Sequence, residues 1–479
     1  MPLVAGIDCS TQSTKALLVD GETGHVAAVG RSEHTVVGTD GARETDPEIW
    51  WTALEDALAQ TGRASQVAAI SVAGQQHGLV VLDRNGNALR PAKLWNDTQS
   101  APDACALIER AGGARWWAEH VGVVPVASFT ATKWAWLRRV EPDVAAATRA
   151  IRLPHDFLTE RLTGRGVTDR SDASGTAWWS TKTGTYSHEV LSMPALQLAP
   201  DMLPTVLGPH DRAGEVTRVA AERLGLRAGI PVGPGAGDNA AAAMALGLES
   251  GVPVISLGTS GTVFLISESR TVDPSGIVAG FADATGRFLP LAATLNCTVV
   301  IDRIAGWLGL DRETVASRTD VVVLPFFDGE RTPNLPNAAG SIFGLRHTTN
   351  PSEILLAAYQ GVVSSLLDAL RQIDDRSSGV GADAPLVVIG GGAKGTAWRS
   401  VVRSLSGRSV QVPDAQEPVA LGAAVQATSI LTGEPSDSVA RRWHTRKGIA
   451  LPAVTPDEET IDRIRSVRSL ALELNTREL

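Results

Sequence analysis

Alternating apolar and polar positions at the start of the chain predict a β-hairpin. The segment Val4–Asp20 (VAGIDCSTQSTKALLVD) places a Ser- and Thr-rich tip between two apolar runs, and His25–Gly30 predicts a third strand. Apolar residues at helical spacing predict an amphipathic helix over Pro47–Gln60. Val67–Val72 predicts a strand that runs into the glycine-bounded loop 74–78 (GQQHG). This alternation of strands and helices is typical of an α/β fold with a partly parallel sheet.

The hairpin pattern recurs in the second half of the chain. A shift of 248 residues places Asp8 on Ser256. Identical residues then coincide at Thr11, Thr14 and Leu17. Either an ancient duplication into two similar domains or coincidence accounts for this match.

Domain limits are predicted from the glycine-rich stretch 233–237 (GPGAG) and from a charged helical pattern that begins after Glu434. We therefore expect one domain over residues 1–240, a second over 241–435 and a helical appendage over 436–479.

Composition narrows the class of protein. The 479 residues carry a net charge of -9, which gives no general attraction to nucleic acid or to an anionic membrane, so neither partner is expected. The first residues lack the basic and apolar pattern of a signal peptide. The three cysteines, Cys9, Cys105 and Cys297, show no disulfide or zinc spacing. We therefore expect a cytoplasmic protein.

The two predicted hairpin tips are candidate phosphate sites. Small and hydroxyl residues let backbone N–H groups approach an oxyanion closely, as at Gly258, Thr259 and, in the first tip, Thr11. Either tip alone is more simply an ordinary turn. Two such tips at matching places favour a nucleotide whose phosphates are bound by both.

Two carboxylates accompany these tips. Asp8 ends the first strand beside the tip, which suits a Mg²⁺ ligand acting through water, or simply a turn-forming Asp. Asp238 opens the helix-forming run that follows Gly237. It is either a helix N-cap or a proton acceptor, and the two roles are compatible.

Three further segments could contact a ligand. The strand that enters Gly390–Gly392 is followed by a helical pattern over Trp398–Leu405, so its backbone could lie flat against an adenosine, although a Gly-rich turn alone is a weak signal. Gln76 and His77 offer hydrogen-bonding groups to a polyhydroxylated ligand. Trp95 could lie against a sugar face or be an ordinary buried Trp.

These segments occur in an order that resembles the FGGY carbohydrate kinases, and the likeness covers nearly the whole chain. The first family signature is similar to 128–139 (SFTATKWAWLRR) and departs at Val140, where a polar residue is usual. The second is similar to 340–345 (GSIFGL) followed, seven residues later, by 353–360 (EILLAAYQ).

The resemblance implies an α/β fold of two actin-like (ribonuclease H-like) domains around a central cleft, with the sugar mainly on the first domain and ATP mainly on the second. It implies that Asp238 is the catalytic base, that it and Asp8 lie near Mg²⁺, and that Asn239 joins the sugar site. A homodimer is also possible. Residues implied to lie at or near the nucleotide are Thr11, Gly258, Thr259, Gly392, Ala393 and Thr396, the last standing where relatives often have Asn.

Within the family, the chain resembles the members that phosphorylate D-xylulose, at 73–78 (AGQQHG), 94–97 (LWND) and 153–156 (LPHD). Gln76 stands where many of these have Met. Members that act on glycerol carry an Arg-Glu pair at the positions of Gln76 and His77, which argues against glycerol. The implied reaction is ATP-dependent phosphorylation of D-xylulose to the 5-phosphate. The alternatives are another pentulose or polyol, such as ribulose, or a non-catalytic sugar-responsive regulator.

Overall fold

The computed structural model of the chain describes residues 2–476 apart from Asn334, Pro336, Ser378 and Ala382. The described chain divides into two compact units. The first unit comprises 1–248, 268–289 and 415–446, and the second comprises 249–267, 290–414 and 447–479. Each unit is therefore built from separate stretches of sequence.

The strands and helices alternate along the chain, as the sequence pattern predicts. The strands up to residue 248 are β1 (Leu3–Cys9), β2 (Ser13–Asp20), β3 (Val26–Glu33), β4 (Glu44–Thr45), β5 (Val67–Gly74), β6 (Val80–Leu82), β7 (Ala92–Lys93), β8 (Ala150–Arg152), β9 (Val167–Asp169), β10 (Trp179–Ser180), β11 (Thr185–Tyr186), β12 (Thr205–Leu207), β13 (Gly214–Glu215), β14 (Pro231–Val232) and β15 (Ala236–Gly237). The later strands are β16 (Val254–Leu257), β17 (Gly261–Phe264), β18 (Ala279–Ala282), β19 (Phe288–Thr294), β20 (Val322–Leu324), β21 (Ser341–Phe343), β22 (Leu386–Ile389), β23 (Val410–Pro413) and β24 (Gly448–Leu451).

The helices lie between and after these strands. The α-helices up to residue 248 are α1 (Pro47–Gln60), α2 (Ala101–Arg110), α3 (Ala114–His120), α4 (Thr130–Val140), α5 (Pro142–Ala147), α6 (Pro154–Thr163), α7 (Arg170–Ser174), α8 (His188–Leu191), α9 (Arg218–Leu224) and α10 (Asp238–Ala245). The later α-helices are α11 (Thr298–Leu308), α12 (Pro351–Asp374), α13 (Thr396–Ser406), α14 (Pro418–Thr432), α15 (Ser436–Arg442) and α16 (Glu458–Thr476). Short 3-10 helices occur at Ala64–Gln66, Pro200–Met202 and Gly391–Lys394.

The first unit is built on a sheet of order β13-β14-β5-β1-β2-β3, with β15 also paired to β5. The pairs β3–β2, β2–β1 and β14–β13 are antiparallel, whereas β1–β5 and β5–β14 are parallel. Helices α1, α6 and α9 pack on one face, and α14 crosses β1 and β5 on the other. Because both faces are covered, every residue of β1 is buried.

The second unit contains a sheet of order β19-β17-β16-β22-β23-β24. From β19 to β24 the first two strand pairs are antiparallel, the next two are parallel and the last is antiparallel. This is the sequence of strand directions found from β3 to β13 in the first unit. The equal order supports duplication over coincidence as the origin of the repeated hairpin pattern.

The two hairpins differ by one residue at their tips. In β1–β2 the last pair is Cys9 with Thr14, which leaves four residues in the tip. In β16–β17 the last pair is Leu257 with Gly261, which leaves three. The ungapped shift of 248 residues therefore holds for the first strand of the hairpin and not for the second, where Thr14 corresponds to Gly261.

Local sequence explains the helix that was predicted most accurately. α1 spans the predicted residues Pro47–Gln60, and the Asp46 side chain accepts a hydrogen bond from the Glu48 backbone N–H at its start. Pro47 at the first helical position needs no hydrogen-bond partner for its nitrogen. Buried residues including Trp50 and Leu54 form the face turned to the sheet.

Among the helices in the described part of the chain, α12 alone is long and apolar enough to cross a membrane by length and composition. Its apolar stretch is 78% buried within the protein. Such burial is typical of a core helix, so this is weak evidence for a membrane span.

The segment 436–479, predicted as a helical appendage, is shared between the units. α15 belongs to the first unit, and β24 pairs with β23 as the edge strand of the second sheet. The alternating pattern over Gly448–Leu451 is too short to identify as a strand without its partner. Residues 477–479 lie outside the described residues. The predicted limits at 240/241 and 435/436 remain predictions.

Candidate functional site

The first unit holds a buried carboxylate at the end of its central strand. Asp8 is 3% exposed, and its Oδ2 accepts a hydrogen bond from the Ser10 hydroxyl at 2.7 Å. Its Oδ1 is buried and accepts no hydrogen bond from any residue that the structure describes. Burial raises the pKa of Asp8, and the nearby Lys15 ammonium partly offsets this.

Lys15 joins Asp8 to a second acid that the sequence did not point to. Its Nζ lies 3.4 Å from Asp8 Oδ2 and 2.5 Å from Glu417 Oε2. Glu417 precedes α14 with φ of +53°, a left-handed conformation that is uncommon for residues other than glycine. A strained residue that fixes a partly buried lysine is typical of functional sites.

Asp238 opens α10, but it is not the N-cap that one sequence interpretation proposed. Gly237 is the N-cap, and Asp238 is the first helical residue. Its Oδ1 accepts hydrogen bonds from the Asn239 backbone N–H at 2.7 Å and from the Asn239 amide at 2.9 Å. Burial, followed by the Asp8 carboxylate, raises the pKa of Asp238 to about 7, against the opposing effect of the Asn239 hydrogen bonds.

The loop 74–78 lies beside this carboxylate. Gln76 Oε1 accepts a hydrogen bond from the Asn239 amide at 3.3 Å. The Gln76 side chain also packs on Gly237 so closely that a Cβ there would lie 2.5 Å from its Nε2. Gln76, Asn239 and Asp238 therefore form one continuous polar group.

His77 and Trp95 are fixed by different contacts. His77 adopts a φ of +65°, and its ring meets Phe129 edge to face with centroids 4.9 Å apart. Trp95 is partly exposed, and its Nε1 donates to Thr11 Oγ1 at 3.0 Å. Trp95 thus links its own segment to the first hairpin tip.

The backbone that leads to Asp238 is held from two sides. Gln426 on α14 accepts from the Gly235 N–H and donates to the Gly235 carbonyl, both at 2.9 Å. On the other side, the Gly237 N–H donates to the Ser171 hydroxyl at 3.1 Å. Gly235 has a φ of +87°, which explains why a glycine stands there. Gln426 was not singled out from the sequence, because it lies 191 residues from Gly235 along the chain.

The predicted nucleotide contacts of the second unit come together at one end of its sheet. The Gly258 carbonyl accepts from the Thr298 N–H at 3.1 Å and from its hydroxyl at 2.9 Å. Thr259, at the tip, is exposed. A Cβ on Gly392 would lie 2.8 Å from the Leu257 Cβ, so the glycine triplet packs directly against this hairpin.

The other two glycines of the triplet differ in how much space a side chain would have. Gly390 has a φ of +89°, and a Cβ there would meet the Leu257 carbonyl at 2.7 Å. A Cβ on Gly391 would meet nothing within 4 Å. Ala393 is buried within the 3-10 helix, whereas Thr396 is exposed at the start of α13.

The donor set in the first unit fits a hydrated cation. The unpartnered Asp8 Oδ1 and the electrostatic coupling of Asp8 to Asp238 are both relieved by a positive charge. Within the described residues, no group of three or more His, Cys, Asp or Glu side chains is placed to hold a metal ion by itself.

Known proteins match the chain along nearly its whole length. They identify its fold, with two sheets of the same strand order, as that of the actin-like kinases. The model of the FGGY family of carbohydrate kinases, N-terminal domain, matches residues 3–247, and the corresponding C-terminal domain matches 254–430. The chain therefore belongs to the FGGY family of carbohydrate kinases. This confirms the family, the α/β actin-like fold class and the enzyme class predicted from the sequence.

Individual relatives are similar over comparable lengths. A xylulose kinase of Streptomyces coelicolor is 56% identical over 478 residues, covering 100% of this chain and 98% of the relative. One of Streptomyces rubiginosus is 56% identical over 474 residues, covering 99% and 97%. The crystal structure of xylulose kinase from Bifidobacterium adolescentis superposes with a TM-score of 0.85 at 37% identity, covering 97% of this chain and 99% of that one.

Proposed function

We propose that the chain transfers the γ-phosphoryl group of ATP to the terminal hydroxyl of D-xylulose, giving D-xylulose 5-phosphate, in the cytoplasm and in xylose catabolism. The choice of sugar is supported by relatives named xylulose kinase that are 56% identical over the full chain.

The observation that carries the proposal is the state of Asp238. A carboxylate whose pKa is raised to about 7 is a much better proton acceptor than an ordinary Asp, and near neutral pH a large fraction of it is ionised. In a loose phosphoryl-transfer transition state, the attacking hydroxyl needs to lose its proton only late. Asp238 would accept that proton.

Neighbouring groups would orient the sugar. Asn239 donates hydrogen bonds to both Gln76 and Asp238, so it would hold the Gln76 amide beside the proton acceptor, where that amide would bind a sugar hydroxyl. His77, fixed by its aromatic neighbour, would add a ring nitrogen. Trp95 would hold the first tip through Thr11.

Asp8 and Lys15 would balance the charges of the site. Asp8, together with Asp238, would hold Mg²⁺, which when bound neutralises negative charge on the phosphate groups. Lys15 limits the repulsion between Asp8 and Glu417. In the second unit, the backbone at Gly258, Thr259, Gly392 and Ala393 would bind ATP, with Thr396 nearby.

The test is ADP release with D-xylulose, D-ribulose, a pentitol and glycerol. We expect the highest kcat/KM with D-xylulose and a loss of about 10²–10⁴-fold in kcat for Asp238→Asn, with nearly unchanged ATP affinity. A higher kcat/KM for another sugar would reassign the substrate. No turnover with any sugar would favour a regulator.

A homodimer also remains a prediction. Light scattering of the purified chain should give about twice the chain mass of 50.2 kDa if it is right.

A further inference from the structure

A buried histidine lies against the backbone that leads to Asp238. His155 is 0% exposed, and its Nε2 lies 3.3 Å from Asp156 Oδ1, 3.4 Å from Asp169 Oδ1 and 3.3 Å from Asp172 Oδ2. We refer to these four residues as the His155 cluster. All three carboxylates are almost fully buried, so the imidazole nitrogen that faces them is their shared counter-charge.

Two of the three carboxylates have an additional structural task. Asp156 accepts a hydrogen bond from the Leu153 N–H and caps α6. Asp169 accepts from the Ser171 and Asp172 N–H groups and caps α7. Asp172 has no such task, because neither of its carboxylate oxygens accepts a hydrogen bond within the part of the chain that the structure describes. A fully buried carboxylate without hydrogen bonds destabilises the fold unless a nearby cation compensates it.

The imidazole also touches the backbone that leads to Asp238. A Cβ on Gly235 would lie 2.5 Å from His155 Nδ1, and one on Gly74 would lie 3.2 Å from the His155 Cβ. Gly74 pairs with Gly237 as β5 meets β15. His155 therefore packs against the end of β5 and against the backbone just before β15.

The helix that carries Asp172 completes the contact. Ser171, on α7 beside Asp172, accepts the Gly237 N–H at 3.1 Å. His155 thus packs against the 235–237 backbone at Gly235, and Ser171 accepts a hydrogen bond from it at Gly237. Both residues are tied to Asp169, which receives the Ser171 N–H at 2.7 Å.

We propose that the buried His155–Asp172 pair, together with Ser171, positions Asp238 for phosphoryl transfer. These are positioning residues, since they act through the 235–237 backbone. The proposal rests on the proposed function of Asp238 as proton acceptor. It predicts an effect on the transfer step and no effect on nucleotide binding, because a displacement of about 1 Å at a reacting group can cost 10²-fold in rate.

The test compares four single variants of the full-length chain: His155→Gln, Asp172→Asn, Ser171→Ala and Glu160→Gln. Glu160 is the matched control, because it lies on α6 with His155 and forms a partly buried ion pair. Its Oε2 lies 2.6 Å from Arg152 Nε. For each variant, kcat and KM for sugar and ATP are measured at a temperature well below its own unfolding midpoint.

We expect kcat to fall roughly 10- to 100-fold in His155→Gln and Asp172→Asn, and severalfold in Ser171→Ala, with KM for ATP unchanged. Glu160→Gln should lower the unfolding temperature and keep kcat within about twofold of the parent. The double variant His155→Gln/Asp172→Asn should recover part of the kcat lost in His155→Gln, since it removes the one of the three carboxylates that accepts no hydrogen bond within the described residues.

Two results would overturn the inference. One is a kcat within about twofold of the parent in Ser171→Ala and Asp172→Asn while Asp238→Asn is inactive, because the proposed function would then stand without a positioning role for the cluster. The other is an equal kcat loss in Glu160→Gln, which would show a general packing effect. If the His155→Gln and Asp172→Asn variants do not fold, Ser171→Ala decides, since it removes a single hydroxyl. An active Asp238→Asn would refute the proposed function instead.

Discussion

The hairpins β1–β2 and β16–β17 hold the same place in sheets of the same strand order, yet they carry different chemistry. One residue pair before the tip, the first hairpin has Asp8 opposite Lys15, both charged and largely buried. The second has Ser256 opposite Thr262, both uncharged. The shared strand order thus supplies two backbones suited to phosphate, while the acid chemistry is confined to one of them.

Removing the charge that distinguishes the hairpins should have the largest effect. Asp8→Asn is expected to lower kcat by on the order of 100-fold or more, because charge stabilisation through a metal ion is worth several kcal/mol. It should also raise the Mg²⁺ concentration needed for half-maximal rate. The matched variant Ser256→Ala removes only a neutral hydroxyl worth about 1 kcal/mol. Steady-state kinetics with a Mg²⁺ titration would contradict the comparison if both variants behaved alike.

The next largest effect is expected in the pH dependence of the free energy of unfolding, through the His155 cluster of the first unit. Asp156, Asp172 and Asp169 raise the pKa of His155 to about 9 in spite of its burial, so its contribution is fully present below its ordinary value of 6.5 and is lost as the pH rises through 9. This amounts to about 3 kcal/mol at most. The measurement is the free energy of unfolding in urea between these two pH values, for the parent and for His155→Gln.

A difference between two variants is needed because another group opposes His155. Burial lowers the pKa of Lys133 to about 7, which makes stability rise with pH in the same window. The difference between the parent and His155→Gln cancels Lys133 and reports the His155 cluster, because His155 also lowers the pKa of Asp156 and of Asp172. His25→Gln, which removes an exposed imidazole, serves as the control. Parallel curves for the parent and His155→Gln would mean that His155 is neutral in the folded protein.

Around the second hairpin, we expect backbone geometry rather than charge to decide the effect of a substitution. The glycine triplet 390–392 that packs against this hairpin tests the expectation. Gly390→Ala forces a side chain into a φ of +89° and against the Leu257 carbonyl, a strain on the order of 1–3 kcal/mol. Gly391→Ala meets open space and should change stability by less than about 0.5 kcal/mol. Thermal unfolding of the two variants compares them directly, and equal midpoints would refute the packing described for the triplet.

The smallest effect is expected at the carbonyl of the second tip. Thr298→Val keeps the side-chain volume and the backbone hydrogen bond to Gly258, but it removes the hydroxyl donor at 2.9 Å. The loss of about 1 kcal/mol should raise KM for ATP roughly fivefold and leave KM for the sugar unchanged. An equal change in both constants would place Thr298 outside a nucleotide-specific role.

Local pattern was enough to predict several features of the fold. The helix α1 has its predicted limits, because its cap, its proline and its apolar face all lie within its own sequence. The first hairpin and the strand β5 were predicted for the same reason, although β5 extends two residues further, to Gly74. There the partner strands, which local sequence does not reveal, continue the pairing.

Contacts between distant residues could not be predicted in this way. Gln426 reaches Gly235 across 191 residues, and Glu417 reaches Lys15 across 402. The interpretation of Asp238 as an N-cap was wrong, since both Gly and Asp are suitable caps and only the backbone angles decide between Gly237 and Asp238. The individual roles given to the candidate site residues remain predictions.

The interleaving of the chain has a consequence for its synthesis on the ribosome. α14, which covers β1 and β5 and carries Gln426, belongs to the first unit but follows the long second-unit stretch 290–414. At about 5–20 residues per second, the first sheet waits roughly ten seconds or longer for that helix to emerge. During this time one apolar face of the sheet is open to chaperones and proteases. A nascent chain arrested before Pro418 is therefore expected to be cleaved readily in its N-terminal half, and one released after Arg446 to resist.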